Sequence, residues 1–154
     1  MTKTKQPLNW GNSEPGWITS VGKEIFNDNN YEKIYPVQPG DVVVDLGASI
    51  GPFTWKVMDR ASKVYAFEPM PEAIEVLKTN IEGWPVEIVD KALNHITGTC
   101  RFPFWDMSTG GPCEAGISTD RMNEIKEEGT TIECTTFMDF VKEYNIDKID
   151  FIKT

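Results

Sequence analysis

The spacing of apolar positions changes along this chain. Ile18, Val21, Ile25 and Phe26 recur at helical spacing, which predicts a short amphipathic helix within residues 17–30, closed by the Asn27–Asn30 cluster. Upstream, residues 1–16 are rich in Pro, Gly, Asn and Ser and predict an irregular arm, with Trp10 and Trp17 as its packing contacts. After the Pro39-Gly40 turn the period is lost. Asp41 to Leu46 holds the continuous run Val42-Val43-Val44, the pattern of a strand buried on both faces, as in a parallel sheet.

The same alternation then repeats. Pro52 suits a first helical turn, and Phe53, Val57 and Met58 give that helix an apolar side. Lys63 to Phe67 predicts a second strand, Pro71 to Ile81 a second helix, and Val86 to Val89 a third strand. Strand and helix alternating with connections this short imply right-handed βαβ units and a parallel sheet. Residues 97–105 and 130–135 read as further strands. Thr136 predicts the N-cap of a helix to Tyr144, with Asp139 completing an imperfect capping box, and Ile149 to Ile152 a last strand. The fold class is therefore α/β with a Rossmann-like sheet: an arm at 1–16 and one domain at 17–154.

Composition narrows the function. The 154 residues carry 24 acidic and 15 basic side chains, a net charge of −9. Phosphate-binding surfaces gain affinity from Lys and Arg, so this balance predicts no nucleic-acid partner and suits a cationic ligand. No apolar run is long enough to span a membrane, and no secretory leader is visible. Cys100, Cys113 and Cys134 lack C-x-x-C spacing, which predicts free thiols, no metal site and a cytoplasmic location.

The chemistry gathers at the first two strand ends. Asp45-Leu46-Gly47-Ala48-Ser49-Ile50-Gly51 places two glycines where a buried strand turns into a helix. Small residues let a ligand approach the backbone there. Glu68 ends the second strand, 21 residues beyond Gly47, where a carboxylate can accept hydrogen bonds from ribose hydroxyls. Ser49, Ile50 and Pro52 crowd the space a pyrophosphate would need, and no Walker-A lysine follows Gly51. A nucleoside without phosphates fits better.

Val44 to Gly51, then Val64-Tyr-Ala-Phe-Glu-Pro69, then Val89 to Leu93 resemble the FkbM-type class I S-adenosylmethionine-dependent methyltransferases. Glu24-Ile-Phe26, Tyr31 and Gly40-Asp41 upstream, and Thr131–Thr136, Phe137-Met-Asp-Phe140 and Ile149–Lys153 downstream, are similar as well, so the resemblance covers about residues 20–154. It implies S-adenosylmethionine as cofactor. Asp45, Gly47, Ala48, Ser49 and Gly51 would cradle its methionine end, and Glu68 its ribose. Pro69 and Met70 would lie beside the adenine, with Asp90, Lys91 and Ala92 at its edge. Ser49 stands where the family usually has Asn. Members also continue into an Asp-x-Glu-Gly-Ala-Glu segment, whereas this chain ends at Thr154, so a domain short at its C-terminal end is expected.

The implied activity is methyl transfer to an oxygen of a small molecule or sugar. The alternative is a non-catalytic S-adenosylmethionine-binding or interaction module, and a third reading is an NAD-type domain. The apolar last strand predicts association with a second copy through its edge. No catalytic residue is assigned. His95, the only histidine, reads as a solvated turn residue. Phe102, Phe104 and Trp105 read as core, as do Trp55 and Met58. Gly110–Cys113 reads as either a substrate loop or a plain flexible loop, and Glu124–Glu128 as a charged solvated face.

Overall fold

A computed structural model describes residues 3–103 and 129–154. Phe104, Trp105, Gly110–Cys113 and Glu124–Glu128 lie outside the described residues, as does the side chain of Phe102. The elements are α1 (Pro15–Gly22), β1 (Val42–Leu46), α2 (Pro52–Val57), β2 (Lys63–Phe67), α3 (Pro71–Ile81), β3 (Val86–Val89), β4 (Ala92–Leu93), β5 (Gly98–Pro103), β6 (Gly129–Thr135), α4 (Phe137–Glu143) and β7 (Phe151–Lys153). A π-turn at Lys23–Asn27 prolongs α1, so the helical pattern begins two residues before the expected start and ends where the asparagines begin.

The main sheet is parallel, in the order β3-β2-β1-β7. Alternate residues of each strand face opposite layers. Val43, Val64 and Ala66 pack with Phe53, Val57 and Leu77 from α2 and α3. Val44, Tyr65 and Phe67 pack with Phe140 from α4. Burial on both faces is why these strands read as unbroken apolar runs. Chain order reverses between β1 and β7, and open α/β sheets bind ligands at the carboxyl ends beside such a reversal.

A second sheet, β4-β6-β5, departs from the single-sheet expectation. β5 and β6 pair antiparallel, and Cys100 faces Ile132 while Gly98 faces Cys134. The two cysteines are therefore diagonal neighbours on one face. A disulfide joins them across a Cα–Cα distance of 6.5 Å, which corrects the expectation of free thiols; the argument from them for a reducing compartment does not hold for this pair. No described helix is long and apolar enough to cross a membrane.

The arm crosses α2 and α3. Lys5 pairs with Asp59 at 2.7 Å, and Asn9 N–H donates to Asn80 Oδ1 at 2.7 Å. Trp10 meets Trp17 and Phe26 edge to face, as its aromatic character anticipated. Met58 is buried, while Trp55 is half-buried and donates its indole N–H to the Gln6 carbonyl. Thr136 caps α4 by accepting the Asp139 N–H. The returning arm of the capping box is replaced: Thr97 donates to the Asp139 carboxylate and accepts the Thr136 N–H.

Candidate functional site

The site grows from the place where β1 and β2 run out of register partners. Leu46 and Phe67 are the last pair, so the next residues, Gly47 and Glu68, leave the sheet side by side. Ala48 N–H donates to the Phe67 carbonyl at 2.8 Å, which folds the turn back over β2. Gly47, Ser49 and Gly51 all have positive φ, at +69°, +52° and +87°. A side chain at Gly51 would collide with Leu77, whereas a Cβ at Gly47 would meet nothing within 4 Å. One glycine is required by packing; the other leaves open space over the turn.

Glu68 is buried, and its carboxylate bridges two segments. Oε2 accepts the Ser49 N–H at 2.9 Å and Oε1 accepts the Met70 N–H at 2.9 Å. Burial raises its pKa above the ordinary 4.5; the two amide bonds oppose that, the Asp45 charge adds to it, and Lys153 offsets it. Each oxygen keeps a further lone pair.

Asp45 is fully buried. Its Oδ2 accepts from Thr54 Oγ1 at 2.6 Å. Its Oδ1 lies 3.2 Å from Lys153 Nζ, close enough for an ion pair, but has no aligned hydrogen bond among the described residues. Asn80 fixes the far side of the turn by donating to the Ile50 carbonyl at 2.8 Å. Thr54, Asn80 and Lys153 were not singled out in the sequence. For Thr54 a signal existed, since it sits nine residues beyond Asp45 on the helix that follows the turn.

The structure thus brings Asp45, Gly47, Ala48, Ser49, Gly51 and Glu68 together. Pro69 and Met70 follow Glu68 at the rim and are half-buried. Asp90 follows β3, whose Val89 carbonyl accepts the Glu68 N–H at 3.1 Å. Lys91 turns elsewhere: its ammonium contacts both Glu143 oxygens, at 3.0 and 2.9 Å. Ala92 pairs with Cys134 in the second sheet. His95 is exposed, and its backbone N–H is held by the Asn94 side chain.

Residues 25–103 match the TRM5/TYW2 methyltransferase domain. The chain belongs to that family. The family is one of methyltransferase domains, and it implies S-adenosylmethionine as cofactor. The match bears out the class I methyltransferase that the FkbM resemblance pointed to, without reaching FkbM type itself. An uncharacterized RNA methyltransferase, YljE, of Lactococcus lactis is 40% identical over 55 residues, which are 34% of this chain and 12% of that protein. This chain therefore aligns with only a small part of that relative's length. Among solved structures, the tRNA m1G37 methyltransferase of M. jannaschii is 27% identical, with a TM-score of 0.35, over 46% of this chain and 27% of that one. An rRNA methylase from Streptococcus thermophilus is 20% identical, with a TM-score of 0.33, over 36% of each chain.

The family match and the L. lactis relative overturn the expectation that nucleic acid is excluded as a partner of this TRM5/TYW2 domain. The physical error lay in the charge sum. Net charge averages over the whole surface, whereas phosphate contacts need only a local patch, and that patch can belong to any part of a longer enzyme.

The cofactor fits the residues present. A buried carboxylate oxygen has no aligned donor, a glycine faces open space, and a second carboxylate has lone pairs to spare beside it.

Proposed function

We propose that this chain is the cofactor-holding part of an S-adenosylmethionine-dependent RNA methyltransferase. The reading is carried by the hydrogen bond from Ser49 N–H to Glu68 Oε2, because it unites the small-residue turn and the strand-end carboxylate in one crevice. Asp45, Gly47, Ala48, Ser49 and Gly51 take the methionine end. Glu68 takes the ribose hydroxyls with the lone pairs that Ser49 and Met70 leave free. Pro69 and Met70 flank the adenine, and Asp90, Lys91 and Ala92 bound it, Lys91 and Ala92 through backbone because their side chains are engaged elsewhere or small.

S-adenosylmethionine supplies a methyl group already activated by its sulfonium charge. What the chain must do is hold that group still and aligned with an acceptor, which is proximity work. RNA as the acceptor class is supported by the family match and by the L. lactis relative, an RNA methyltransferase by name. FkbM type is the finer alternative within the class, supported by the order of motifs from Glu24 to Lys153; it shares the same crevice and the same cofactor test.

Calorimetry with S-adenosylmethionine and S-adenosylhomocysteine is expected to show binding of both. Transfer of a tritiated methyl group into transcribed tRNA or rRNA fragments is expected to follow. A folded chain that binds neither ligand sinks the cofactor reading. Binding without label in any RNA sinks the acceptor class and favours a binding module.

A further inference from the structure

Lys153 closes β7 in register with Asp45 of β1. Its Nζ donates to the Leu46 carbonyl at 3.1 Å and to the Gly47 carbonyl at 3.0 Å, and lies 3.2 Å from Asp45 Oδ1. The Tyr31 ring lies beneath it, with its centroid 5.6 Å away. Only 13% of the Lys153 side chain is exposed, and none of the Asp45 carboxylate is. The carbonyls of Leu46 and Gly47 lie together at this end of β1, within reach of the Lys153 side chain. One ammonium serves both and balances the buried acid behind them.

We propose that Lys153 is a positioning residue of the cofactor crevice, fixing the Leu46–Gly47 turn and setting how far the crevice favours a sulfonium ligand over its neutral-thioether counterpart. The inference rests on the cofactor reading above. It follows from geometry and from a charge count. Asp45 and Glu68 bring two negative charges to the crevice, and Lys153 brings one positive charge. S-adenosylmethionine, with ammonium, carboxylate and sulfonium, is a net cation. S-adenosylhomocysteine has lost the sulfonium charge and is net neutral. A positive charge held at the turn therefore opposes the first ligand and leaves the second almost unaffected. This moderates the grip on methyl donor relative to product. Its hydrogen bonds, in contrast, serve both ligands alike by holding the turn that both must enter.

The two roles separate experimentally in the full chain. In Lys153→Met, the ratio of S-adenosylmethionine to S-adenosylhomocysteine affinity is expected to shift toward the sulfonium by about threefold or more, the effect of one charge removed within roughly 10 Å. Amide exchange at Ala48 and Ser49 in the ligand-free protein is expected to quicken by about tenfold. Lys153→Arg keeps the charge and is expected to hold the ratio within about twofold. Asp45→Asn combined with Lys153→Met removes the pair without orphaning a buried charge. Its exchange is expected to stay fast, and Lys153→Gln, which also removes the charge, takes the place of Lys153→Met should that variant fail to fold.

Equal weakening of both ligands in Lys153→Met, with the ratio unmoved, overturns the charge role. Unchanged exchange at Ala48 and Ser49 overturns the positioning role. If the unmodified chain binds neither ligand, the cofactor reading fails and the charge role fails with it, while the exchange data still decide whether Lys153 holds the turn.

Discussion

The backbone N–H of Ser49 donates to Oε2 of Glu68 at 2.9 Å, across a 19-residue separation in the chain. That bond turns a strand-end acid into part of the glycine turn. Glu68→Gln tests it. An amide offers one oxygen where the Ser49 and Met70 amides need two, so one N–H is left facing an NH2 group. The lost bond costs about 1–3 kcal/mol. Affinity for S-adenosylhomocysteine is expected to fall at least tenfold by calorimetry. Unchanged affinity would remove Glu68 from the site.

The same carboxyl gives the crevice a pH dependence. Burial, aided by the Asp45 charge, holds Glu68 above the ordinary 4.5, against the pull of the Met70 and Ser49 amides and of Lys153. Only the ionised form offers both oxygens to ribose hydroxyls. Cofactor affinity is therefore expected to fall as pH drops through a window that opens above 4.5, and the decline should vanish in Glu68→Gln. Stability of the ligand-free chain runs the other way at this group. Its folded form takes up the proton first, so this contribution grows as pH falls through the raised value and is lost as pH climbs past it. Calorimetry across pH, paired with urea titrations, separates the two trends.

Gly47 and Gly51 have different tasks in one motif. At Gly51 a Cβ would strike Leu77 in the core at φ +87°, so Gly51→Ala combines overpacking with left-handed strain and is expected to cost about 2–4 kcal/mol. At Gly47 a Cβ meets open space at φ +69°, so Gly47→Ala carries the strain alone, about 1–2 kcal/mol. Its methyl group would occupy the room above the turn, and cofactor affinity is expected to fall by tenfold or more. Urea denaturation should rank Gly51→Ala as the less stable variant. Calorimetry should show the affinity loss in Gly47→Ala. The reverse ranking would contradict this division of labour.

What the sequence revealed was local. The runs Val42–Val44 and Lys63–Phe67 announce themselves because both faces are buried, and Glu68 is legible because a parallel register carries it to the turn. Lys153 escaped because its partners lie 106 and 107 residues upstream and become neighbours only through the β1–β7 pairing. The Cys100–Cys134 bridge escaped because it depends on the antiparallel register of β5 and β6, which no cysteine spacing encodes. Thr97 escaped in the same way: the capping box it completes belongs to a helix 40 residues on. The nucleic-acid exclusion failed for a different reason, since a whole-chain charge carries no positional information.

At the opposite end of β1, Glu32 is an internal control for every affinity measurement above. It is 3% exposed, accepts the Val37 N–H at 2.8 Å and takes both Arg60 nitrogens, at 3.0 and 3.2 Å, with Lys56 Nζ 3.2 Å away. Burial pushes its carboxyl up, but Arg60, the Val37 amide and Lys56 together outweigh that and hold it below the ordinary 4.5. Its stabilisation is therefore complete above 4.5 and is lost as pH falls through the lowered folded value. Arg60→Met leaves that buried charge with Lys56 and the Val37 amide. Because both cations are partly exposed, a loss of about 2–3 kcal/mol is expected rather than the full cost of a wholly buried pair. Urea denaturation at neutral pH measures the loss, and the deficit should shrink on acidification as Glu32 protonates. Affinity for S-adenosylhomocysteine, measured where the variant stays folded, is expected to match the unmodified chain. A fall in affinity together with stability would mean that the two ends of β1 are coupled, and that the effects of Glu68 and Lys153 substitutions would need correcting for it.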